Sequence, residues 1–251
     1  MDLGLDGKTA LVTGASVGIG RAIAKALARE GVALAVSARR TDLLETLAQE
    51  IVAAGGRQPV IIASDLYPDD AAKKLAMAAI EGLGHVDILV NNAGGSRSFK
   101  EVHVAEEAWQ EALTLNFHRP RQLADQLLDQ MTQRKWGRII NITGKSEPEH
   151  MNGAFCAKAG MHSWAKGLSR MVGKDGVTIN SIAPGRIMSE QILRNYSPEY
   201  REWQSNNEIP VGRYGEPEEL ADLAVFLASQ RASYITGTVI AVDGGLRRYQ
   251  F

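Results

Sequence analysis

Closely spaced glycines near the amino terminus have the type and spacing to hold a phosphate group. They lie in the segment Thr13-Gly14-Ala15-Ser16-Val17-Gly18-Ile19-Gly20, between a short apolar run and a longer helix-forming run. Glycine permits a tight turn and lets a pyrophosphate approach the backbone, and the following helix presents free N–H groups and the positive end of its dipole. The segment therefore predicts a dinucleotide-phosphate site, with a simple strand-to-helix turn as the alternative.

Two arginines stand where a ligand of the adenosine ribose is expected. In dinucleotide-binding folds, an acidic residue about 20 residues past the glycine turn accepts a hydrogen bond from the ribose 2′-hydroxyl. Here the second apolar run ends on Ala38 and is followed by Arg39 and Arg40. Guanidinium groups suit a 2′-phosphate, so the sequence favours NADP(H) over NAD(H). A solvated cation at the start of the next helix is the alternative for either arginine.

The elements that must position these residues alternate along the chain. Short β-branched runs predict strands over 8–13, 32–38, 59–63, 86–90, 138–143, 178–182 and 238–242. Longer Ala- and Leu-rich runs predict helices over 20–30, 43–54, 70–83, 106–133, 153–172 and 217–229. Strands that are apolar on both faces and alternate with helices are typical of a buried parallel sheet. We expect an α/β fold, a Rossmann-type doubly wound parallel sheet of about seven strands with helices on both faces.

The composition narrows the class of protein. The 251 residues contain no repeat and no Pro/Gly/Ser linker, so one domain over 1–251 is expected. Lys and Arg total 28 and Asp and Glu total 29, a balance without the basic surface that nucleic acid requires. The single cysteine, Cys156, excludes an internal disulfide framework, and His150 has no second ligand at metal-binding spacing, so no metal is expected. No secretory signal or membrane-length apolar run is visible, and the expected location is the cytoplasm.

A less regular stretch over 186–214 interrupts the alternation of strands and helices. It is polar and aromatic, and its large side chains are Tyr196, Tyr200, Trp203 and Tyr214. It follows the sixth predicted strand, at the sheet edge where α/β proteins place ligand-covering loops. Two interpretations stand side by side: a lid over a substrate, or a surface excursion packed by its own aromatic residues.

Further motifs lie along the whole chain. In order, they are Asn91-Asn92-Ala93-Gly94, Leu115-Asn116-Phe117, Lys158-Ala159-Gly160, Pro184-Gly185 and Val242-Asp243-Gly244-Gly245. Together with the Gly-x-x-x-Gly-x-Gly spacing at 14–20, they resemble the motifs of the short-chain dehydrogenase/reductase family. The resemblance implies an oxidoreductase that moves a hydride between a nicotinamide and a carbonyl or alcohol carbon. Among the members of the family, it is similar to 3-oxoacyl-acyl-carrier-protein reductases.

The resemblance also implies a cofactor site made of five groups of residues. From the pyrophosphate outward, they are Gly14, Ser16, Gly18, Ile19 and Gly20 for the phosphates and the adjacent ribose, Arg39 for the 2′-phosphate, Asp65 and Leu66 for the adenine, Asn92, Ala93 and Gly94 for the adenosine ribose and the middle of the cofactor, and Pro184, Gly185, Ile187 and Ser189 for the nicotinamide carboxamide. Lys158 would bind the nicotinamide ribose.

The catalytic residues of that family are incomplete here. Family members use a serine, a tyrosine and a lysine, with an asparagine that completes a water relay, and the tyrosine lies four residues before the lysine. Lys158 and Asn116 are present, but Ala154 stands at the tyrosine position and Gly144 at the serine position. The loop between them is shorter than is usual in the family, so a substitute hydroxyl from Ser146 or Thr143 is a speculative assignment.

Three interpretations follow from the missing groups. The protein is a reductase in which another group exchanges the proton, with Lys158, the 145–150 loop and the tyrosines of the 186–214 stretch as candidates. Alternatively, it binds NADP(H) without turnover, as a sensor or as a subunit beside an active homologue. In the third, the polar 145–150 loop handles a charged or unusual substrate, although such a loop is more often a solvated turn.

The resemblance extends to partners. The predicted helices over 106–133 and 153–172, and the segment that closes the chain, resemble those by which the family forms dimers and tetramers. We expect a homo-oligomer, a tetramer or a dimer, that acts on a small molecule and contacts neither nucleic acid nor membrane.

Overall fold

One parallel sheet organises the chain. The computed structural model describes residues 2–96, 99–144 and 151–247, and it shows a seven-stranded sheet with the order β3-β2-β1-β4-β5-β6-β7. The strands are β1 Thr9–Thr13, β2 Ala33–Ala38, β3 Val60–Ala63, β4 Ile88–Asn91, β5 Gly137–Ile142, β6 Val177–Pro184 and β7 Val239–Val242. Every neighbouring pair is parallel. The predicted Rossmann-type fold is confirmed.

Helices cover both faces of the sheet. They are α1 Gly18–Arg29, α2 Thr41–Ala53, α3 Ala71–Leu83, α4 Glu106–Leu113, α5 Arg119–Gln133, α6 Gly153–Val172, α7 Glu190–Asn195, α8 Pro198–Asn207 and α9 Pro217–Ala228. Side chains alternate across a strand, so Val12 joins the core beneath α1, α2 and α9, while Leu11 joins the core beneath α3, α5 and α6. Burial on both faces explains why the strands read as continuous apolar runs.

The strand order reverses between β1 and β4. β1 pairs with β2 on one side and with β4 on the other, so the chain leaves β1 and β4 in opposite directions. In open α/β sheets, ligands bind in the crevice outside the carboxyl ends of the strands at such a switch point. The predicted glycine turn follows β1, and the Asn91–Gly94 motif lies at the end of β4, so both line this crevice.

The prediction of one α-helix over 106–133 is wrong. A π-helical turn, Thr114–His118, separates α4 from α5 and contains Asn116. Pro120 has no N–H and cannot donate to the carbonyl of Asn116 four residues earlier, so the α-helical pattern fails there. The Asn116 side chain also donates to the carbonyl of Ala112 at 2.9 Å, which widens the turn.

The prediction of an irregular 186–214 stretch is also wrong, because the stretch contains two helices. Ser189 caps α7, accepting from Ile192 N at 3.2 Å, and Ser197 caps α8, accepting from Tyr200 N at 3.2 Å. Pro198 follows in the first turn of α8. Serine before proline is a helix-start signal, but α8 carries almost no apolar stripe, so the hydrophobic period that defines longer helices is absent.

Candidate functional site

The glycine turn forms a cradle without side chains between β1 and α1. Gly14 has φ +66°, and a Cβ there would lie 3.0 Å from the backbone nitrogen of Ala93 and 2.8 Å from Asn92 Nδ2. A Cβ on Gly20 would overlap the carbonyl of Gly14. Gly18 opens α1 with φ +56°. Glycine at positions 14 and 20 therefore lets the turn pack directly against the start of α1 and against the turn after β4.

The turn after β4 is tied to the glycine turn by hydrogen bonds. Thr13 Oγ1 donates to Val90 O at 3.2 Å and accepts from the backbone nitrogens of Asn92 and Ala93, each at 3.0 Å. Asn92 Nδ2 donates in return to Thr13 O at 3.1 Å and to Gly14 O at 3.0 Å. The Asn92 side-chain amide thus holds the glycine turn against the turn after β4.

The two arginines after β2 differ in their surroundings. The glycine turn lies beside them, because Ala15 N donates to Ser37 O at 3.1 Å. Arg40 Nη2 contacts Glu190 Oε2 of α7 at 3.0 Å, in an exposed ion pair. Arg39 is exposed, and no hydrogen bond or ion pair of its side chain is found within the described ranges. Arg39 is therefore available to an anion, whereas Arg40 already has an acidic partner.

The residues predicted to bind the adenine follow β3, and a buried arginine holds the backbone of this loop. Asp65 Oδ1 accepts from Tyr67 N at 3.1 Å, and Leu66 is buried. Arg119, 5% exposed, donates from Nε to Leu66 O at 3.0 Å and from Nη2 to Tyr67 O at 2.8 Å. The sequence gives no sign of this role for Arg119, because its partners lie more than fifty residues earlier.

The predicted nicotinamide segment lies between β6 and α7. Gly185 N donates to Val242 O at 2.9 Å, and a Cβ on Gly185 would lie 2.5 Å from Asp243 Cα. Pro184 ends β6, and Ile187 is buried against Gly215. Ser189 Cβ lies 3.9 Å from the place of a Cβ on Gly18. The structure therefore brings this segment against the glycine turn.

Lys158 points from α6 towards the end of β5. Its Nζ donates to Thr143 O at 2.9 Å. Burial lowers the pKa of Lys158 to about 8, because removal from water disfavours the ammonium form. No ion pair of Lys158 is found in the part of the chain that the structure describes. A lysine with such a pKa exchanges protons near neutral pH.

Asn116 holds the turn after β4 from the opposite side. Its Oδ1 accepts from Gly95 N at 3.3 Å, and its Nδ2 donates to Gly95 O at 2.9 Å. The same Oδ1 would lie 2.9 Å from a Cβ on Gly94. The π-helical turn thus brings Asn116 to the predicted middle of the cofactor site, as π-turns do at many functional sites.

A small polar cavity connects Lys158 and Asn116. Its wall consists of Asn91, Ala93, Asn116, Pro120, Asn141, Ile142, Thr143, Lys158 and Met161. Asn91 and Asn141 are opposite each other on β4 and β5, and Asn91 Nδ2 donates to Asn141 Oδ1 at 3.0 Å. Asn91 Oδ1 and Asn141 Nδ2 are buried without a partner among the described residues. Buried polar atoms of this kind are usually satisfied by ordered water.

The two positions at which the family resemblance leads us to expect a tyrosine and a serine are occupied by Ala154 and Gly144. Ala154 is buried in the first turn of α6, where its nitrogen donates to Asn152 Oδ1 at 2.9 Å. A Cβ on Gly144 would lie 3.6 Å from Lys158 Cδ, an ordinary contact distance. Ser146, the speculative hydroxyl, and the rest of the 145–150 loop lie outside the described residues.

The Thr143 hydroxyl, the other suggested substitute, already has partners. It donates to Ile182 O at 3.1 Å and lies 2.8 Å from His162 Nε2. His162 was not singled out from the sequence, although it lies four residues after Lys158 and therefore on the same helix face. Burial lowers the pKa of His162 most, and the positive charges of Arg247 and Lys158 lower it further.

The fold and this crevice define a class, the dinucleotide-dependent oxidoreductases with a Rossmann-type sheet. Residues 14–247 match a family model described as enoyl-(acyl carrier protein) reductase. The chain is 35% identical to the 3-oxoacyl-acyl-carrier-protein reductase FabG of Pseudomonas aeruginosa, over 97% of this chain and 99% of that protein. It is 36% identical to nodulation protein G of Rhizobium sp. (strain N33), over 96% of this chain and 98% of that protein.

A solved structure agrees with these relatives. The crystal structure of L-sorbose reductase from Gluconobacter frateurii, complexed with NADPH and L-sorbose, has a TM-score of 0.93 to this chain and 30% sequence identity, over 100% of both chains. The chain belongs to the short-chain dehydrogenase/reductase family, and the prediction of an oxidoreductase of this family is confirmed.

Two further observations concern membrane spans and metal sites. No helix in the described ranges is long and apolar enough to cross a membrane. Across residues 2–96, 99–144 and 151–247, no group of three or more His, Cys, Asp or Glu side chains could hold a metal ion.

Proposed function

We propose that the protein is an NADPH-dependent carbonyl reductase in which Lys158 exchanges the proton with the substrate oxygen. The observation that carries the proposal is a half-buried lysine in the crevice, four residues after an alanine, whose Nζ is held by Thr143 O at 2.9 Å and whose pKa desolvation lowers to about 8. Two of the proteins that it is similar to, FabG of Pseudomonas aeruginosa and L-sorbose reductase, are named as reductases, and the second was crystallised with NADPH. Because these relatives are enzymes, a silent NADP(H)-binding protein is the less favoured alternative.

The residues present fit a dinucleotide with a 2′-phosphate. Gly14 and Gly20 leave no room for a Cβ between the turn, α1 and the turn after β4, and this close packing places the turn at the start of α1, where backbone N–H groups can face a pyrophosphate. Arg39 lies exposed beside the glycine turn, and its guanidinium can pair with the extra phosphate. The other positions that we assign to the cofactor are Ser16, Gly18, Ile19, Asp65, Leu66, Asn92, Ala93, Gly94, Lys158, Pro184, Gly185, Ile187 and Ser189.

The cofactor supplies a hydride when it is bound, so the protein must supply a proton. We propose that Ala154 and Gly144 replace the tyrosine and the serine that related enzymes use, which leaves Lys158 to supply that proton. With a pKa of about 8, Lys158 is an ammonium at pH 7 and can donate, and its neutral amine regains a proton readily. The Thr143 carbonyl that accepts from Nζ at 2.9 Å orients the ammonium group.

A half-buried lysine that has donated its proton must be protonated again before the next turnover. The polar cavity lined by Lys158 is also lined by Asn91 and Asn141, whose Oδ1 and Nδ2 atoms respectively are buried without a protein partner in the described residues. We propose that water held by these atoms and by the π-helical turn at Asn116 returns the proton to Lys158. Ser146 remains a second, speculative source of a hydroxyl.

We propose that 186–214 is a lid over the substrate end of this single domain. Arg186 Nη2 contacts Glu208 Oε2 at 3.4 Å, and Gln204 Nε2 donates to the same oxygen at 2.9 Å. Tyr214 Oη donates to Gln204 Oε1. This buried network joins both ends of the stretch, so the lid can move as one body. The homo-oligomer, tetramer or dimer, and the cytoplasmic location stay predictions.

The substrate class that we propose is a small carbonyl compound, by analogy with the names of the relatives. The test is to titrate the protein with NADPH and NADH, and then to follow NADPH oxidation with a 3-oxoacyl thioester, L-sorbose and a panel of simple ketones and aldehydes. Tight NADPH binding with turnover on one of these classes is expected. Tight binding without turnover across the panel would favour the silent alternative, and tighter binding of NADH than of NADPH would contradict the role of Arg39.

A further inference from the structure

A half-buried histidine, His162, lies beside Lys158 without a role in the mechanism above. We propose that His162 is a positioning residue, which fixes the carbonyl that holds the Lys158 ammonium by bracing Thr143. The inference rests on the proposed function of Lys158. Lys158 and His162 are four residues apart on α6, so their side chains lie next to each other on one face of the helix.

The position of the ammonium depends on Thr143. The bond from Lys158 Nζ to Thr143 O, at 2.9 Å, is the hydrogen bond that the described ranges show for this group. Thr143 follows β5 directly, and the next residue is Gly144, which has no side chain to restrain the backbone. Without anchors at Thr143, the carbonyl would therefore be free to turn away from Lys158.

Three hydrogen bonds anchor Thr143. Its backbone nitrogen donates to Ile182 O at 2.8 Å, and its hydroxyl donates to the same oxygen at 3.1 Å. When the one hydroxyl proton is directed at Ile182 O, the imidazole N–H at Nε2 donates to Oγ1 across the 2.8 Å contact. In this arrangement, which we include in the proposal, the neutral ring of His162 carries its proton on Nε2.

The surroundings of His162 keep the ring neutral. Burial, together with the positive charges of Arg247 from the closing segment and Lys158 from its own helix, holds its pKa below the usual range. A neutral ring still donates from Nε2 but adds no second cation beside the lysine. His162 can thus hold Thr143 without lowering the pKa of Lys158 by repulsion.

The test compares His162→Gln, which keeps an N–H donor, with His162→Leu, which removes it. Lys158 is labelled competitively with acetic anhydride at a series of pH values, and the modified peptide is quantified by mass spectrometry. In His162→Leu, Thr143 loses one of its three anchors and its carbonyl holds the ammonium less firmly, so the labelling midpoint of Lys158 should fall by about 0.5–1 pH unit. NADPH-dependent reduction should fall about 5–10-fold, whereas His162→Gln should stay within about twofold of the native protein on both measures.

Further variants make the result decisive. Thr143→Val removes the same link and should reproduce the shift, and the double variant with His162→Leu should be no worse than the larger single change. His85→Leu, which deletes the contact of another histidine with Asp87 at 3.2 Å, is the matched control and should leave Lys158 labelling unchanged. Equal behaviour of His162→Gln and His162→Leu, or an unmoved midpoint in Thr143→Val, would overturn the proposal.

Labelling also separates this inference from the proposed function, because it needs no substrate. If Lys158→Ala retained full reductase activity, the role of Lys158 as the proton donor would be wrong. The midpoint in the His162 and Thr143 variants would still show whether His162 positions the lysine.

Discussion

The two ends of the crevice are built in different ways. At the glycine turn, Thr13 and Asn92 join β1 to the turn after β4 through five hydrogen bonds of 3.0–3.2 Å. At the other end, Lys158 depends on one carbonyl, and neighbouring positions carry alanine and glycine. Under the proposed function, cofactor binding rests on a turn that several hydrogen bonds of Thr13 and Asn92 hold in place, whereas proton exchange rests on the single side chain of Lys158.

The contrast between the two ends of the crevice predicts that substitution of Lys158 causes the largest loss of reductase activity. Lys158→Ala removes the proposed proton donor, and general acid catalysis is typically worth about 10²–10⁴-fold, so NADPH-dependent reduction should fall by that factor. NADPH affinity should fall much less, because the glycine turn remains intact. Rates and fluorescence titrations measure the two effects separately. An equal loss in rate and affinity would mean that Lys158 only binds the cofactor.

The second-largest effect, a loss of NADPH affinity, is expected from a substitution in the glycine turn. Gly14→Ala puts a Cβ at φ +66°, 2.8 Å from Asn92 Nδ2, and a left-handed residue with a Cβ costs about 1–2 kcal/mol before any clash. NADPH affinity should therefore fall at least about tenfold, while the labelling midpoint of Lys158 stays in place. Gly173→Ala is a control, since nothing lies within 4 Å of a Cβ there and φ is −57°. Unchanged NADPH affinity in Gly14→Ala would contradict the cradle.

A smaller and more selective effect is expected at the end of β2. Arg39→Gln removes the proposed partner of the 2′-phosphate and should weaken NADPH about 10-fold or more while leaving NADH binding nearly unchanged, since a bond to a charged group is worth about 1.5–3 kcal/mol. Arg40→Gln is the matched variant one residue away. Its exposed pair with Glu190 is worth about 0–1 kcal/mol, so it should change the preference little. The same loss of selectivity in both variants would show that the arginines act by general charge.

Much of the cofactor end could be predicted because its signals are local. The glycine spacing, the apolar strands and Ala38 before Arg39 are all readable in a short window of sequence, and parallel strands bring their carboxyl ends together by necessity. The helix signals also placed α1, α6 and α9 close to their observed bounds.

The remaining features depend on contacts that a local pattern does not contain. The π-turn arises from Pro120 together with a bond from Asn116 to Ala112, and neither interrupts the apolar period of the helix. Arg119 has its partners on the loop after β3, and His162 meets Thr143 through the fold of α6 onto β5. The helices α7 and α8 are short and polar, so capping serines rather than hydrophobic spacing define them.

The pH dependence of reduction tests the central claim most directly. Below pH 8, Lys158 is an ammonium and can donate, and above its pKa of about 8 the donor form declines. NADPH-dependent reduction by the native protein should therefore fall about tenfold per pH unit above pH 8. Lys158→Arg keeps the charge but does not release its proton in this range, so its residual rate should be low and free of that limb. An identical limb in both proteins would contradict Lys158 as the proton donor.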